Sequence, residues 1–118
     1  MKRKFILFAL LALLAGTFYS CKDGLLNDYP ILYVVNGTDY SVKVYCDNLL
    51  VAKAGAHNNS GKVELSNTSV NLPVYVEVIC FDSKGTKVRT IHWDNYYFKW
   101  NKSYKMTLTD SSGKLQEL

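Results

Sequence analysis

Between residues 73 and 109 apolar and polar positions alternate almost without a break. Val74, Val76, Val78 and Cys80 interleave with Tyr75, Glu77, Ile79 and Phe81, the two-residue period of a β-strand. Asp82-Ser83-Lys84-Gly85 supplies turn chemistry, with Gly85 able to take the left-handed conformation that closes a short hairpin. Residues 86–93 run back, Asp94-Asn95 turns again, residues 96–100 follow, and Asn101-Lys102-Ser103 leads into residues 104–109. The pattern predicts a four-strand antiparallel meander.

Upstream, residues 30–35 form the first strand, and Asn36-Gly37, extended by Thr38-Asp39, is the strongest hairpin signal in the chain. Residues 40–47 make the second strand, with Val42 and Val44 inward and Ser41 and Lys43 outward. A turn at Asp47-Asn48 leads to a third strand over residues 49–54, and a Gly-, Asn- and Ser-containing loop over 55–61 leads to a short fourth over 62–65. Residues 66–71 form a polar turn into the meander. No stretch sustains a 3.6-residue period, so no long helix is expected. Short strands at this spacing make an all-β fold, a single antiparallel β-sandwich of about seven to eight strands.

Pairing arithmetic assigns the meander's faces. A three-residue Ser83–Gly85 loop sets Cys80 against Val88 and Ile79 against Arg89; a two-residue Asp94-Asn95 turn sets Trp93 against Tyr96 and Ile91 against Phe98. Directly paired residues share a face. A three-residue Asn101–Ser103 loop sets Trp100 against Tyr104 and Phe98 against Met106, so one face collects Tyr75, Ile79, Phe81, Ile91, Trp93, Tyr96, Phe98, Trp100, Tyr104, Met106 and Leu108 beside Glu77 and Arg89, and the other carries the valine row. Two apolar faces on one sheet leave a surplus that a two-layer sandwich does not bury.

The N-terminus belongs to a different class. Lys2-Arg3-Lys4 precede an apolar run over residues 5–15 and a less apolar stretch before Cys21, the three parts of a secretory signal peptide over residues 1–20. The run is shorter than the roughly 20 residues a spanning helix needs. Removing Lys2, Arg3 and Lys4 from the 14 basic residues leaves 11 against 10 acidic ones, so no basic face for nucleic acid is expected. Cys46 and Cys80 then form an even pair in an oxidising compartment, each at the end of an inward row. Either they are bridged, closing a loop of about 35 residues worth about 3–4 kcal/mol, or they are buried free thiols acting as small hydrophobes.

Candidate chemistry is sparse. His57 and His92 have no nucleophile motif beside them, and no close ligand spacing joins them to Cys46 or Cys80. Glu77 beside Arg89 reads as an ion pair. No catalytic residue, metal site or cofactor is expected. The run from His92 to Trp100 is the sharpest candidate for binding: Trp93, Asp94, Asn95, Tyr96, Phe98 and Trp100 combine flat rings with polar groups. Such a set serves as ordinary sheet packing, a protein interface or a platform for sugar rings.

Phe18-Tyr19-Ser20-Cys21 resembles the lipobox of bacterial lipoproteins, although Tyr19 departs from its usual pattern. The resemblance implies that Cys21 is acylated and becomes the mature N-terminus, with a mobile tether over residues 21–29 and the sandwich over 30–118. Cys21-Lys22-Asp23 also partly resembles the signal that sends some lipoproteins of Gram-negative anaerobes to the outer cell face. With ILYVVNGTDYSVKVY over 31–45 and FKWNKSYKMTL over 98–108, the chain looks like the small exported lipoproteins of such bacteria, which carry one immunoglobulin- or transthyretin-like domain. That implies an outer-membrane lipoprotein, periplasm-facing or surface-exposed, held by its lipid and acting as a non-enzymatic binding or adaptor module. Its partner would be another envelope protein or a glycan; a structural subunit of a surface assembly is the remaining reading.

Overall fold

Eight strands form the chain in a computed structural model that describes residues 27–118: β1 (Ile31–Asn36), β2 (Ser41–Cys46), β3 (Leu49–Ala54), β4 (Asn59–Glu64), β5 (Pro73–Phe81), β6 (Lys87–Tyr97), β7 (Ser103–Leu108) and β8 (Gly113–Glu117). The signal segment and Cys21 lie outside the described residues. Two four-stranded sheets, β4-β1-β7-β8 and β3-β2-β5-β6, pack face to face as a β-sandwich. All neighbours run antiparallel except β1 and β7, which are parallel from Ile31↔Ser103 to Asn36↔Leu108. No helix among the described residues is long and apolar enough to cross a membrane.

The interior is built from alternation. Leu32 and Val34 of β1 and Tyr104, Met106 and Leu108 of β7 face Val42, Val44 and Cys46 of β2 and Val74, Val76, Val78 and Cys80 of β5, all buried. Each fully buried aliphatic side chain contributes about 1.5–3 kcal/mol. Two hairpins follow their turn chemistry. Asp47 and Asn48 both have positive φ (50° and 70°), as a two-residue turn of this hand requires. Gly85 sits at φ 82°, and Asp82 Oδ1 accepts the N–H groups of Lys84 and Thr86 at 2.9 Å each.

Asn36-Gly37 does not make a hairpin. β1 and β2 lie in different sheets, and the chain turns a corner between them. Asn36 is 1% exposed. Its Nδ2 donates to the carbonyls of Tyr40 (2.7 Å) and Gly55 (2.8 Å), while its Oδ1 accepts from the Thr38 N–H (3.0 Å) and hydroxyl (2.7 Å). Gly37 donates its N–H to Leu108 O at 2.8 Å, and a Cβ there would stand 3.0 Å from that same oxygen.

The expected meander is also replaced. Residues 87–97 form one strand through Asp94-Asn95, where Asp94 and Asn95 together oppose Tyr75 in a β-bulge, with Asn95 at φ 53°. β7 pairs with β1 rather than with β6. A second bulge on β6 lies at Val88, between Cys80↔Arg89 and Phe81↔Lys87. It displaces the expected pairing by one residue, and a one-residue shift turns side chains to the other face. Ile91 therefore pairs with Val78, Trp93 with Val76 and Tyr96 with Val74, all packed against the core. A Cβ on Gly113 of the other sheet would stand 3.2 Å from Ile91 Cδ1. Arg89 does not meet Glu77; its Nη1 donates to the carbonyls of Thr109 and Asp110 at 2.8 Å each. β8 follows the last expected strand and completes the first sheet.

Cys46 and Cys80 face the same interior but are not bridged. Cys46 lies opposite Val76 and Cys80 opposite Val42, which separates them by about 13 Å along the strands, beyond disulfide reach. Burial pushes the Cys46 thiol up to about 12, with Asp47 adding to the effect. The Thr68 hydroxyl opposes the shift, but it is buried without a hydrogen-bond partner of its own and its pull is weak beside burial. Burial likewise raises the Cys80 thiol, against the opposing charge of Arg89.

Two outcomes are expected from this packing. Asn36→Ala leaves the buried Thr38 N–H without an acceptor and takes one of two donors from each of the Tyr40 and Gly55 carbonyls, lowering stability by about 1–3 kcal/mol, a fall in Tm of roughly 5–20 °C for a domain of this size; thermal unfolding followed by circular dichroism measures it. The unfolded chain releases the Cys46 proton near its ordinary value of 9.0, whereas the folded chain holds it up to about 12. Stability from the neutral thiol is thus complete below the first value and lost as pH rises toward the second. The urea midpoint should fall between about pH 8 and about pH 10.5, and less steeply in Cys46→Val.

Candidate functional site

The six aromatic-run candidates do not form one platform. Phe98 is fully buried and joins Tyr96 and Tyr104 in an aromatic trio with centroid separations of 5.0, 5.0 and 5.9 Å. Tyr104 accepts the Lys99 N–H at 2.8 Å through its hydroxyl. Trp93 and Tyr96 are half-buried on the inward side of β6. Asp94 and Asn95 are exposed at the bulge, and Asp94 reaches His92 at 3.3 Å. Trp100 stands apart in the β6–β7 loop, its ring 5.2 Å from that of Tyr29.

A different surface gathers aromatic and polar groups. With Val42, Val44 and Cys46 turned inward, Lys43 and Tyr45 of β2 point outward, and the register places them beside Ile79 and Glu77 of β5. Glu77 in turn lies opposite His92, and Ile79 opposite Thr90. Tyr45, Tyr75, Glu77, Ile79 and Phe81 are all half-buried there, and no strand among the described residues lies over them. The outer face of the other sheet is more polar: Tyr33 sits between Lys62 and Lys105 in register.

Interactions across the face fix its side chains. The Tyr75 and His92 rings lie 5.7 Å apart at an interplanar angle of 34°, and the Tyr75 hydroxyl donates to Glu77 Oε2 at 3.3 Å. Desolvation first, then the Glu77 carboxylate, raises the Tyr75 phenol above its ordinary value, so the hydroxyl stays a neutral donor at physiological pH. Lys43 Nζ lies 5.3 Å from the centroid of Phe81, close enough for a cation–π contact. Lys43 and Lys53 stand directly opposite each other on β2 and β3, a like-charge pair that a sheet does not favour by itself.

A shallow depression of about 210 Å³ is lined by Ser41, Val42, Lys43, Lys53, Ala54 and Gly55, smaller than the roughly 300–1,000 Å³ of ordinary small-molecule sites. Among the described residues no three His, Cys, Asp or Glu side chains converge in a way that could hold a metal ion. His57 pairs with Asp39 at 2.6 Å on the exposed surface.

Sequence alternation places Tyr75, Glu77, Ile79 and Phe81 on this outward row correctly. Tyr45 was missed, although the outward phase of β2 signals it; His92 opened the candidate run, but nothing local signals its side of the sheet, which depends on the Val88 bulge. No protein-family model matches the chain, and no curated protein matches it in sequence.

Proposed function

We propose that this chain is an exported, lipid-anchored β-sandwich that serves the cell envelope as a non-enzymatic binding module, docking a protein partner on the outer face of the β3-β2-β5-β6 sheet. The observation that carries the reading is that face itself. Half-exposed Tyr45, Tyr75, Ile79 and Phe81 form its apolar centre, and Lys43, Glu77 and His92 supply polar groups among them. An apolar, aromatic centre with polar groups about it is the usual anatomy of a protein interface.

Size bounds the affinity. Four strands by about six residues span about 19 Å by about 20 Å, well short of the roughly 800 Å² per partner of a standard stable interface. The face suits a transient complex, or a larger one in which neighbouring loops take part. Export and anchoring rest on the basic start, the apolar run and Cys21, and a lipid on that cysteine would hold the module at a membrane.

Two measurements check this reading. Metabolic labelling with a fatty-acid analogue should mark the protein, and Cys21→Ala should abolish the label; label that survives the substitution removes the anchor. In intact cells a photoreactive residue at Ile79 should give a discrete covalent adduct with a protein, while the same residue at Lys114, on the outer face of the other sheet, should give none. Equal adducts from both positions would overturn the assignment of the face.

A further inference from the structure

The described chain begins at one end of the sandwich and is fastened there. The tether expected over residues 21–29 is not free in its last part: Asp28 N–H donates to Asn101 Oδ1 at 2.7 Å and Asn101 N–H to Asp28 O at 2.8 Å. Asn101 Nδ2 also donates to Asn27 Oδ1 at 3.2 Å. Strand direction decides what else shares this end. β1, β5 and β7 start here, β4, β6 and β8 finish here, and the Asp47-Asn48 turn between β2 and β3 closes here.

Most of the large apolar side chains left exposed are gathered at this same end. Tyr29 (39%), Leu49 (45%), Leu72 (59%), Tyr97 (50%) and Leu118 (62%) belong to it, whereas Leu50 (43%) lies opposite Tyr45 on the outer sheet face and Tyr33 (36%) between Lys62 and Lys105 on the other sheet. At the opposite end, where the loops carry Asp39, His57, Asp82, Lys84 and Asp110, only Val88 (44%) among the described residues matches them. Half-buried Trp100 and exposed Lys99 and Lys102 complete the apolar end. Amphipathic rings and long lysine stems are the side chains that settle at the headgroup level of a bilayer.

We propose that this end of the sandwich rests in the lipid interface, with Tyr29, Leu72, Tyr97 and Trp100 at the depth of the headgroups. The inference rests on the lipid-anchor reading above. Chain length selects the occupant: from Cys21 to Asn27 a fully extended chain reaches only about 20 Å, so a lipid on Cys21 keeps the end fastened to Asn27 against the membrane. Charge excludes a mainly electrostatic attachment, because Asp28, Asp47 and Glu117 offset Lys99 and Lys102 there, and Lys99 already meets Glu117 at 3.7 Å. Contact is made by apolar insertion, and it holds the outer face of the β3-β2-β5-β6 sheet sideways, upright on the membrane.

The test uses the full lipidated protein reconstituted in phosphatidylcholine vesicles brominated on the acyl chains near the headgroup. The chain has two tryptophans, so Trp93→Phe leaves Trp100 as the reporter. Its emission should fall about twofold relative to unbrominated vesicles, equally at low and high salt, and the loss should shrink in Leu72→Asp. Trp100→Phe, reporting from Trp93, should show less than half that loss. Should Trp93→Phe fail to fold, the unsubstituted protein gives the same reading as a partial, salt-independent loss. Vesicle flotation separates the two ideas. A chain that does not co-float overturns the anchor and this inference together; one that co-floats with unquenched Trp100, or with quenching lost in salt, overturns this inference alone.

Discussion

The carboxamide of Asn36 decides where the chain changes sheets. Buried between the end of β1 and the start of β2, it satisfies the carbonyls of Tyr40 and Gly55 and the N–H of Thr38. No aliphatic side chain could do this, and an unpaired backbone group in such a place costs about 1–3 kcal/mol. Because the corner carries β2 into the opposite sheet, one side of β1 is open to β7 and the other to β4. The parallel β1–β7 pair, with Gly37 bonded to Leu108 O, joins the first strand of the fold to its next-to-last strand. The wide separation of those strands in sequence makes this corner a constraint on the whole molecule.

Most strands were legible in the residues because alternation is local, although β8 was not anticipated and the two strands expected over 86–93 and 96–100 are the single β6. Val42, Val44 and Cys46, then Val74, Val76, Val78 and Cys80, face the core as their phase indicates. Sheet membership was not local. Asn36-Gly37 has the composition of a tight hairpin and instead serves a corner, because partners as distant as Gly55 and Leu108 take its hydrogen-bonding groups. Register was the second failure. Nothing in Val88 announces a bulge, and the pairing beyond it is held from outside β6, by Arg89 bonded to the carbonyls of Thr109 and Asp110 and by Ile91 set against Gly113.

That displacement changes the functional picture. The surplus of rings predicted for one face was an effect of register: with Ile91, Trp93 and Tyr96 turned inward and Phe98 in the core, β6 helps to fill the sandwich. What remains on the outside is a smaller set from β2 and β5. Tyr75, Glu77, Ile79 and Phe81 were legible from their own alternation, while the neighbours that complete the set depended on pairing across strands. A candidate face read from one strand is therefore sounder than one read across a hairpin.

The bulges also share a location. Those of the second sheet fall on β3 at Val51 and on β6 at Val88 and Asp94-Asn95, and that of the first falls on β4 at Ser60-Gly61, all on edge strands. On β4 the Ser60 hydroxyl accepts the Val34 N–H at 2.9 Å, a bond a regular ladder would have given to backbone. The remaining edge, β8, is only five residues long. Such edges make poor templates for another strand. Copies crowded side by side would meet broken borders rather than straight ones, which disfavours zipping edge to edge into fibres.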